Sequence, residues 1–143
     1  MNYESPSLAV DVIVTIPDLE KERLGIVLIK RKNPPLGCAL PGGFVDVGET
    51  TRTAAVREMK EELNLDVKLV RLLGVYDEPD RDPRKHVVSV AFLATPTDLN
   101  AVPVAGDDAK EAFIWYESDP LPELVCDHAK IITDWLNPKP FLI

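Results

Sequence analysis

An α/β sandwich, a mixed β-sheet held between helices, follows from three features of the 143-residue sequence. Five runs rich in β-branched residues are separated by proline and glycine clusters, one amphipathic helix lies mid-chain, and a second lies near the end. Residues 8–16 are mostly Val and Ile and read as a strand. Pro17-Asp18 starts a turn, a charged stretch follows over residues 20–23, and residues 24–29 form the second β-branched run, so the two are expected to make a hairpin. Asn33-Pro34-Pro35 stops regular structure because proline fixes φ and removes a donor, and Pro41-Gly42-Gly43 is a second breaker cluster. The spacing then predicts a helix over residues 51–63, with Ala55, Val56, Met59 and Leu63 on one side and Asn64 as a left-handed cap. Strands are expected at 67–76, 87–94 and 112–116. A second helix is expected over 122–136, with Leu124, Val125, His128, Ile131, Ile132 and Trp135 along one stripe and Pro138 ending it. The thirteen prolines fall between these elements, and there is no internal repeat.

The length fits a single domain over residues 1–143. With 45% hydrophobic and 28% charged residues, a soluble folded chain is expected rather than disorder. The 24 acidic against 16 basic side chains give a net charge of −8, which argues against a nucleic-acid partner. Small phosphate substrates stay open if a metal ion neutralises a local acidic cluster. No apolar run approaches the roughly 18–20 residues of a membrane span, so no membrane partner is expected. The first ten residues lack a basic segment leading into an apolar one, and two cysteines do not make a disulfide framework. A cytoplasmic protein with reduced thiols is the resulting expectation.

The mid-chain helix carries the chemistry. Glu58, Glu61 and Glu62 stand at i, i+3 and i+4, within one arc of the helix beside the apolar stripe. Like charges at that spacing oppose the helix by roughly 0.2–0.5 kcal/mol per pair, and the macrodipole disfavours acids near a C-terminus. A hard divalent cation, Mg²⁺ or Mn²⁺, relieves both penalties and prefers carboxylate oxygens. The bland alternative is a solvated acidic face partnered by Arg57 and Lys60.

Upstream, Gly42-Gly43 lets backbone approach a ligand closely. From Gly43 the chain runs through five residues to Glu49, seven more to Arg57, and then Glu58-Met59-Lys60-Glu61-Glu62-Leu63-Asn64-Leu65. This pattern strongly resembles the Nudix box: a glycine, a glutamate and a helical Arg-Glu-aliphatic-x-Glu-Glu-x-Gly-aliphatic segment at fixed spacing. Asn64 is the one departure, standing where the family usually has glycine. The resemblance implies a Nudix-type α/β/α sandwich. Glu58 and Glu62 would be the principal metal ligands, with Glu61 sharing, and the Gly42 carbonyl would be a backbone ligand. Glu49 and Arg57 would form an internal pair fixing the loop against the helix. The family's general base is a box glutamate or an acidic residue before the last strand, where Asp108 and Glu111 are the candidates; the alternative for either is a capping carboxylate in a surface turn.

Nudix enzymes hydrolyse a nucleoside diphosphate linked to another group, and such chemistry requires a metal-bound water and neutralised phosphate oxygens rather than a cysteine or serine nucleophile. Outside the box, the segments from Leu40, from Leu73, from Asp82 and from Gly106 resemble the ADP-ribose pyrophosphatase branch, so that ADP-ribose would give AMP and ribose 5-phosphate. Cys38, where that branch often has tryptophan, and a short preceding loop depart from it. Arg31 and Arg84 are candidates to hold phosphates, with Gly43 admitting substrate to the backbone; exposed surface arginine is the alternative. Tyr76 and Phe44 are candidates to stack on a base, packing being the alternative. His86 reads as structural, His128 as a satisfied, partly buried histidine, and both cysteines as inert. The same catalyst acting on a nucleoside triphosphate or a dinucleoside polyphosphate stays open, as does a non-catalytic ADP-ribose-sensing module. Such modules usually have an eroded box and an added DNA-binding domain, whereas here the four box glutamates and the arginine stand and residues 117–143 leave room for one helix and a tail. The resemblance also suggests a homodimer, for which the apolar tail 141–143 is a candidate contact.

Overall fold

The computed structural model describes residues 3–106 and 108–139. Seven strands and two helices follow in the order β1 (Ser7–Asp18), β2 (Arg23–Arg31), β3 (Cys38–Ala39), β4 (Gly42–Phe44), α1 (Thr51–Leu63), β5 (Val67–Tyr76), β6 (Val87–Pro96), β7 (Ala109–Tyr116) and α2 (His128–Leu136). The strands form a mixed sheet with the path β3-β2-β1-β6-β5, to which β4 adds on β1 and β7 on β2.

Strand β1 organises the sheet by dividing its pairing. Residues 7–14 run parallel to β6, and residues 9–11 also pair antiparallel with β4. Residues 15–18 turn to pair with β2, so the expected hairpin exists but only through its last four registered pairs, ending at Asp18 and Arg23. Those two close the turn with an ion pair of 3.0 Å, which holds the Asp18 carboxyl below the usual range. Strand β2 continues outward to β7 and β3.

Alternation along β1 and β2 serves both faces. Val10, Val12, Val14, Val27 and Ile29 pack under α1 with Ala55, Met59 and Leu63. Ile13, Ile26 and Leu28 face the other way and meet Ile131 and Ile132 of α2. Runs buried on both faces are what unbroken β-branched sequence encodes. Among the described residues, no helix is long and apolar enough to cross a membrane.

Helix α1 has the predicted limits. Thr50 caps its start by accepting from Thr53 N at 3.0 Å, and Asn64 ends it in the left-handed region at φ 55°. Two details differ from the sequence reading. Val56 is 40% exposed, whereas Ala54 and Glu62 are buried, so the buried stripe is rotated toward the acidic arc. Helix α2 begins at His128, not at residue 122, because Leu124 bridges to Cys38, Val125 N donates to Cys38 O at 2.9 Å, and Cys126 adopts φ 53°. The short strands β3 and β4 went unread, since two and three residues carry no periodicity. The tail at 141–143 lies outside the described residues.

The rotated stripe has a direct consequence for stability. Met59→Ala should cost about 2–5 kcal/mol in urea unfolding through the cavity it leaves, whereas Val56→Ala should cost less than about 1 kcal/mol. Equal losses would contradict the assigned face.

Candidate active site

The site is assembled where β4 passes under the C-terminal half of α1. Val12 N donates to Pro41 O and Val45 N to Leu8 O, both at 2.9 Å, and these mark the hydrogen-bonded pairs of the β1–β4 ladder. The pair Asp11 and Gly42 falls between them. In an antiparallel ladder the N–H and C=O of such a residue point away from the partner strand. The Gly42 N–H accordingly meets Glu62 Oε2 at 3.0 Å, and its carbonyl lies on the same side. Gly42 cannot carry a side chain here, because a Cβ would strike Val10 O, and one on Gly43 would displace the Glu58 carboxylate.

Arg57 fixes the geometry around this crossing. Its Nε and Nη2 donate to the two oxygens of Glu49, at 3.1 and 2.6 Å, in a bidentate pair. Nη2 also donates to Phe44 O at 3.0 Å, which ties the helix to the end of β4. Nη1 donates to Glu58 Oε1 at 2.9 Å and to Glu61 Oε2 at 3.0 Å. Glu49 closes its own loop by accepting from Asp46 N at 2.8 Å, and Arg57 holds its carboxyl below the usual range. The expected Glu49–Arg57 pair is therefore present, within a wider set of contacts that the sequence did not indicate.

Of the three helix glutamates, Glu58 and Glu62 line a cavity of about 240 Å³ and Glu61 does not. Glu62 is only 4% exposed. Burial pushes its carboxyl up to about 8, opposed by the Gly42 N–H and reinforced by the charges of Glu58 and Asp108. Burial also raises Glu58, against the pull of Arg57. Glu61 is turned to Arg57 instead, so the triad read from the helix spacing is not gathered at the cavity. Among the described residues, no three His, Cys, Asp or Glu side chains stand close enough together to hold a metal ion by themselves. The donors at the crossing are nevertheless oxygen only: the Glu58 and Glu62 carboxylates and the Gly42 carbonyl. Desolvated, mutually repelling carboxylates beside a backbone carbonyl fit a hard cation such as Mg²⁺ or Mn²⁺.

The acidic candidates near the last strand separate. Asp108 lines the cavity, and its charge is felt by both Glu58 and Glu62. Glu111 lies outside the cavity lining; it sits opposite Lys30 in the β2–β7 ladder and pairs with it at 3.2 Å. Arg31 and Arg84 both line the cavity with Gly43. Arg84 is held by Asp82 at 2.7 Å, whereas the Arg31 bonds are to backbone carbonyls, including Pro35 O at 2.8 Å. Phe44 stands half-exposed on the cavity wall with Arg84 and Lys85 over its ring. Tyr76 does not belong to the site: it is buried on the α2 side, and its hydroxyl donates to Asp134 at 2.9 Å. His86 is exposed and its Nε2 stands 3.2 Å from Asp77 O. Both cysteines are free, and burial pushes the Cys126 thiol up to about 11, so it stays protonated.

The cavity floor was not legible in the sequence. Asp11 accepts from Ser89 Oγ at 2.5 Å and stands 3.4 Å from His128 Nε2. His128 Nδ1 accepts from Leu40 N at 3.0 Å, which leaves the ring proton on Nε2, toward Asp11. Arg81, buried, binds Asp127 at 2.6 Å. Four distant segments meet here, and none carries a spacing signal.

Glu62 makes stability depend on pH. An unfolded glutamate ionises near 4.5, and the folded one near 8, so the folded state holds the proton more tightly between those values. In chelator-treated protein, the stability of the wild type relative to Glu62→Gln should therefore fall as pH rises from about 5 to 8. A difference between the two that does not change with pH would contradict the buried carboxyl.

Comparison with known proteins agrees with this geometry. Residues 6–136 match the family model described as the NUDIX domain. The chain is 50% identical over 139 residues to an ADP-ribose pyrophosphatase of Methanocaldococcus jannaschii, covering 96% of this chain and 77% of that protein. It superimposes with a TM-score of 0.85 on a MutT/nudix family protein from Enterococcus faecalis, at 33% identity, over 96% of this chain and 63% of that one. A bifunctional NMN adenylyltransferase/ADP ribose pyrophosphatase from Francisella tularensis, complexed with AMP and a Mn ion, superimposes with a TM-score of 0.80 at 28% identity, over 96% of this chain and 43% of that one. The chain thus spans less than two thirds of the length of either solved structure. With Glu58, Glu61 and Glu62 on one helix, the glycine strand beneath them and the match running over residues 6–136, the chain belongs to the Nudix family.

Proposed function

We propose that the chain is a divalent-metal-dependent pyrophosphohydrolase whose substrate is a nucleoside diphosphate derivative, ADP-ribose, cleaved to AMP and ribose 5-phosphate. The half-identity to an ADP-ribose pyrophosphatase across nearly the whole chain carries the substrate. The placing of Glu58 and Glu62 on the cavity beside Gly42 supports the chemistry.

In this reading Glu58, Glu62 and the Gly42 carbonyl hold the cation, and Glu61 shares it by exchanging its contact with Arg57. Bound Mg²⁺ or Mn²⁺ would supply charge neutralisation at the phosphate oxygens and a water of lowered pKa. The chain's residues do the rest. Arg57 keeps Glu58 aimed and β4 against α1. Among the described residues the Arg31 guanidinium bonds to carbonyls rather than to a carboxylate, so it is offered to the diphosphate, and Arg84 can join it by leaving Asp82. Gly43 lets the substrate lie against backbone. Asp108, facing the cavity, is the proposed acceptor of the attacking water's proton; Glu111 lies outside the cavity lining. A cytoplasmic homodimer belongs to the same reading, and sedimentation giving only monomer would remove the dimer.

Glu58→Gln and Glu62→Gln should each lower kcat by about 100-fold or more with Mg²⁺ while the fold is retained. Near-wild-type turnover in both would place the chemistry elsewhere. Comparing kcat/KM for ADP-ribose, a nucleoside triphosphate and a dinucleoside polyphosphate tests the substrate, with ADP-ribose expected to lead. A triphosphate in first place would favour the same catalyst on a different substrate. No phosphate product from any of them would favour a sensing module.

A further inference from the structure

The one departure from the family box, Asn64, makes a contact that glycine cannot. As a helix cap, its left-handed backbone lets its N–H close on the carbonyls of Lys60 and Met59, and glycine would do this equally well. The side chain adds something separate. Its Nδ2 donates to Val104 O at 2.9 Å, while Val104 N donates to Leu63 O at 2.8 Å. Both backbone groups of Val104 are thereby held by consecutive residues at the end of α1. Two residues on, Gly106 N donates to Glu62 O at 2.8 Å, and Gly106 lies so close to Glu61 O that a Cβ would not fit. The segment joining β6 to β7 is thus stitched to the same helical turn that carries Glu61 and Glu62, and it satisfies carbonyls that a helix end leaves open.

That segment leads directly to Asp108. Its carboxylate lines the cavity with Glu58 and Glu62, and its charge adds to burial in raising both. Asn33 Nδ2 donates to the Asp108 carboxylate at 3.5 Å, and backbone contacts hold the residue from either side. On one side Lys32 N donates to Asp108 O at 3.1 Å; on the other stand the bonds from the end of α1.

We infer that Asn64 is a positioning residue, whose side-chain amide clamps Val104 to the end of α1 and so holds Asp108 beside Glu58 and Glu62. The inference rests on the proposed role of Asp108. It runs against expectation from capping alone, by which restoring the family's glycine is neutral or stabilising.

The test is a double-mutant cycle in full-length protein, with Asn64→Gly, Asp108→Asn and the pair, assayed with ADP-ribose and Mg²⁺. Asn64→Gly should lower kcat about three- to ten-fold, the effect of losing one hydrogen bond, with KM and Tm little changed. In the Asp108→Asn background it should cost nothing further. Asn64→Asp, which keeps the size of the side chain but replaces its donor with an acceptor, should lose activity as Asn64→Gly does. Hydrogen exchange should quicken at Val104 and Gly106 in both Asn64 variants. Wild-type kcat in Asn64→Gly, or losses that add in the double variant, would overturn the clamp. A silent Asp108→Asn would instead overturn the role of Asp108 and, with it, the purpose of the clamp.

Discussion

The contact between the buried Glu62 carboxylate and the Gly42 N–H is the constraint on which the rest of the site depends. It joins the one helix that carries acidic chemistry to the short strand whose glycines leave room for it. A carboxylate this far from water is costly unless something repays its desolvation. One backbone donor is modest repayment against the neighbouring charges of Glu58 and Asp108. A cation beside these carboxylates would lower that cost, and this is the physical ground of the proposed metal dependence.

Arg57 resolves a second conflict. Three glutamates within one turn, near the negative end of a helix, would push the helix apart and scatter their own side chains. A single guanidinium answers Glu49, Glu58 and Glu61 together and reaches across to the Phe44 carbonyl. It holds the acids in register without entering the cavity lining. The arginines on the cavity wall do different work. Arg81 and Arg84 are committed to aspartates, and Arg31 is committed to carbonyls. The wall therefore offers its positive charge unevenly, which is why Arg31 is the proposed first contact for a diphosphate.

How far the sequence could be read follows from the range of each interaction. Helix α1, its cap at Asn64 and the Glu49–Arg57 pair were legible because their partners lie within one or two turns or at a fixed family spacing. The long strands were legible from their β-branched runs. Strands β3 and β4 were not, because two and three residues carry no pattern of their own; β3 is set by its partners in β2 and β4 by its partners in β1, some thirty positions away. The start of α2 was misread because its apolar stripe continues back to Leu124, while a bridge to Cys38 holds that residue extended. The spacing placed Glu58, Glu61 and Glu62 together, yet Arg57 draws Glu61 away; a periodicity fixes a direction from the helix axis, not a side chain's partner. Asp11, Arg81 and His128 line the cavity from separate segments, with Ser89 bonded to Asp11 and Asp127 to Arg81 behind them, and only the fold brings them together.

The most direct measurement is an anomalous diffraction map from crystals soaked with Mn²⁺ and a non-hydrolysable ADP-ribose analogue. The account predicts manganese bound by carboxylate oxygens of Glu58 and Glu62 and by the Gly42 carbonyl, with the diphosphate in the adjoining cavity. Manganese found elsewhere, with Glu62 still bonded only to Gly42 and the diphosphate seated on another surface, would contradict it.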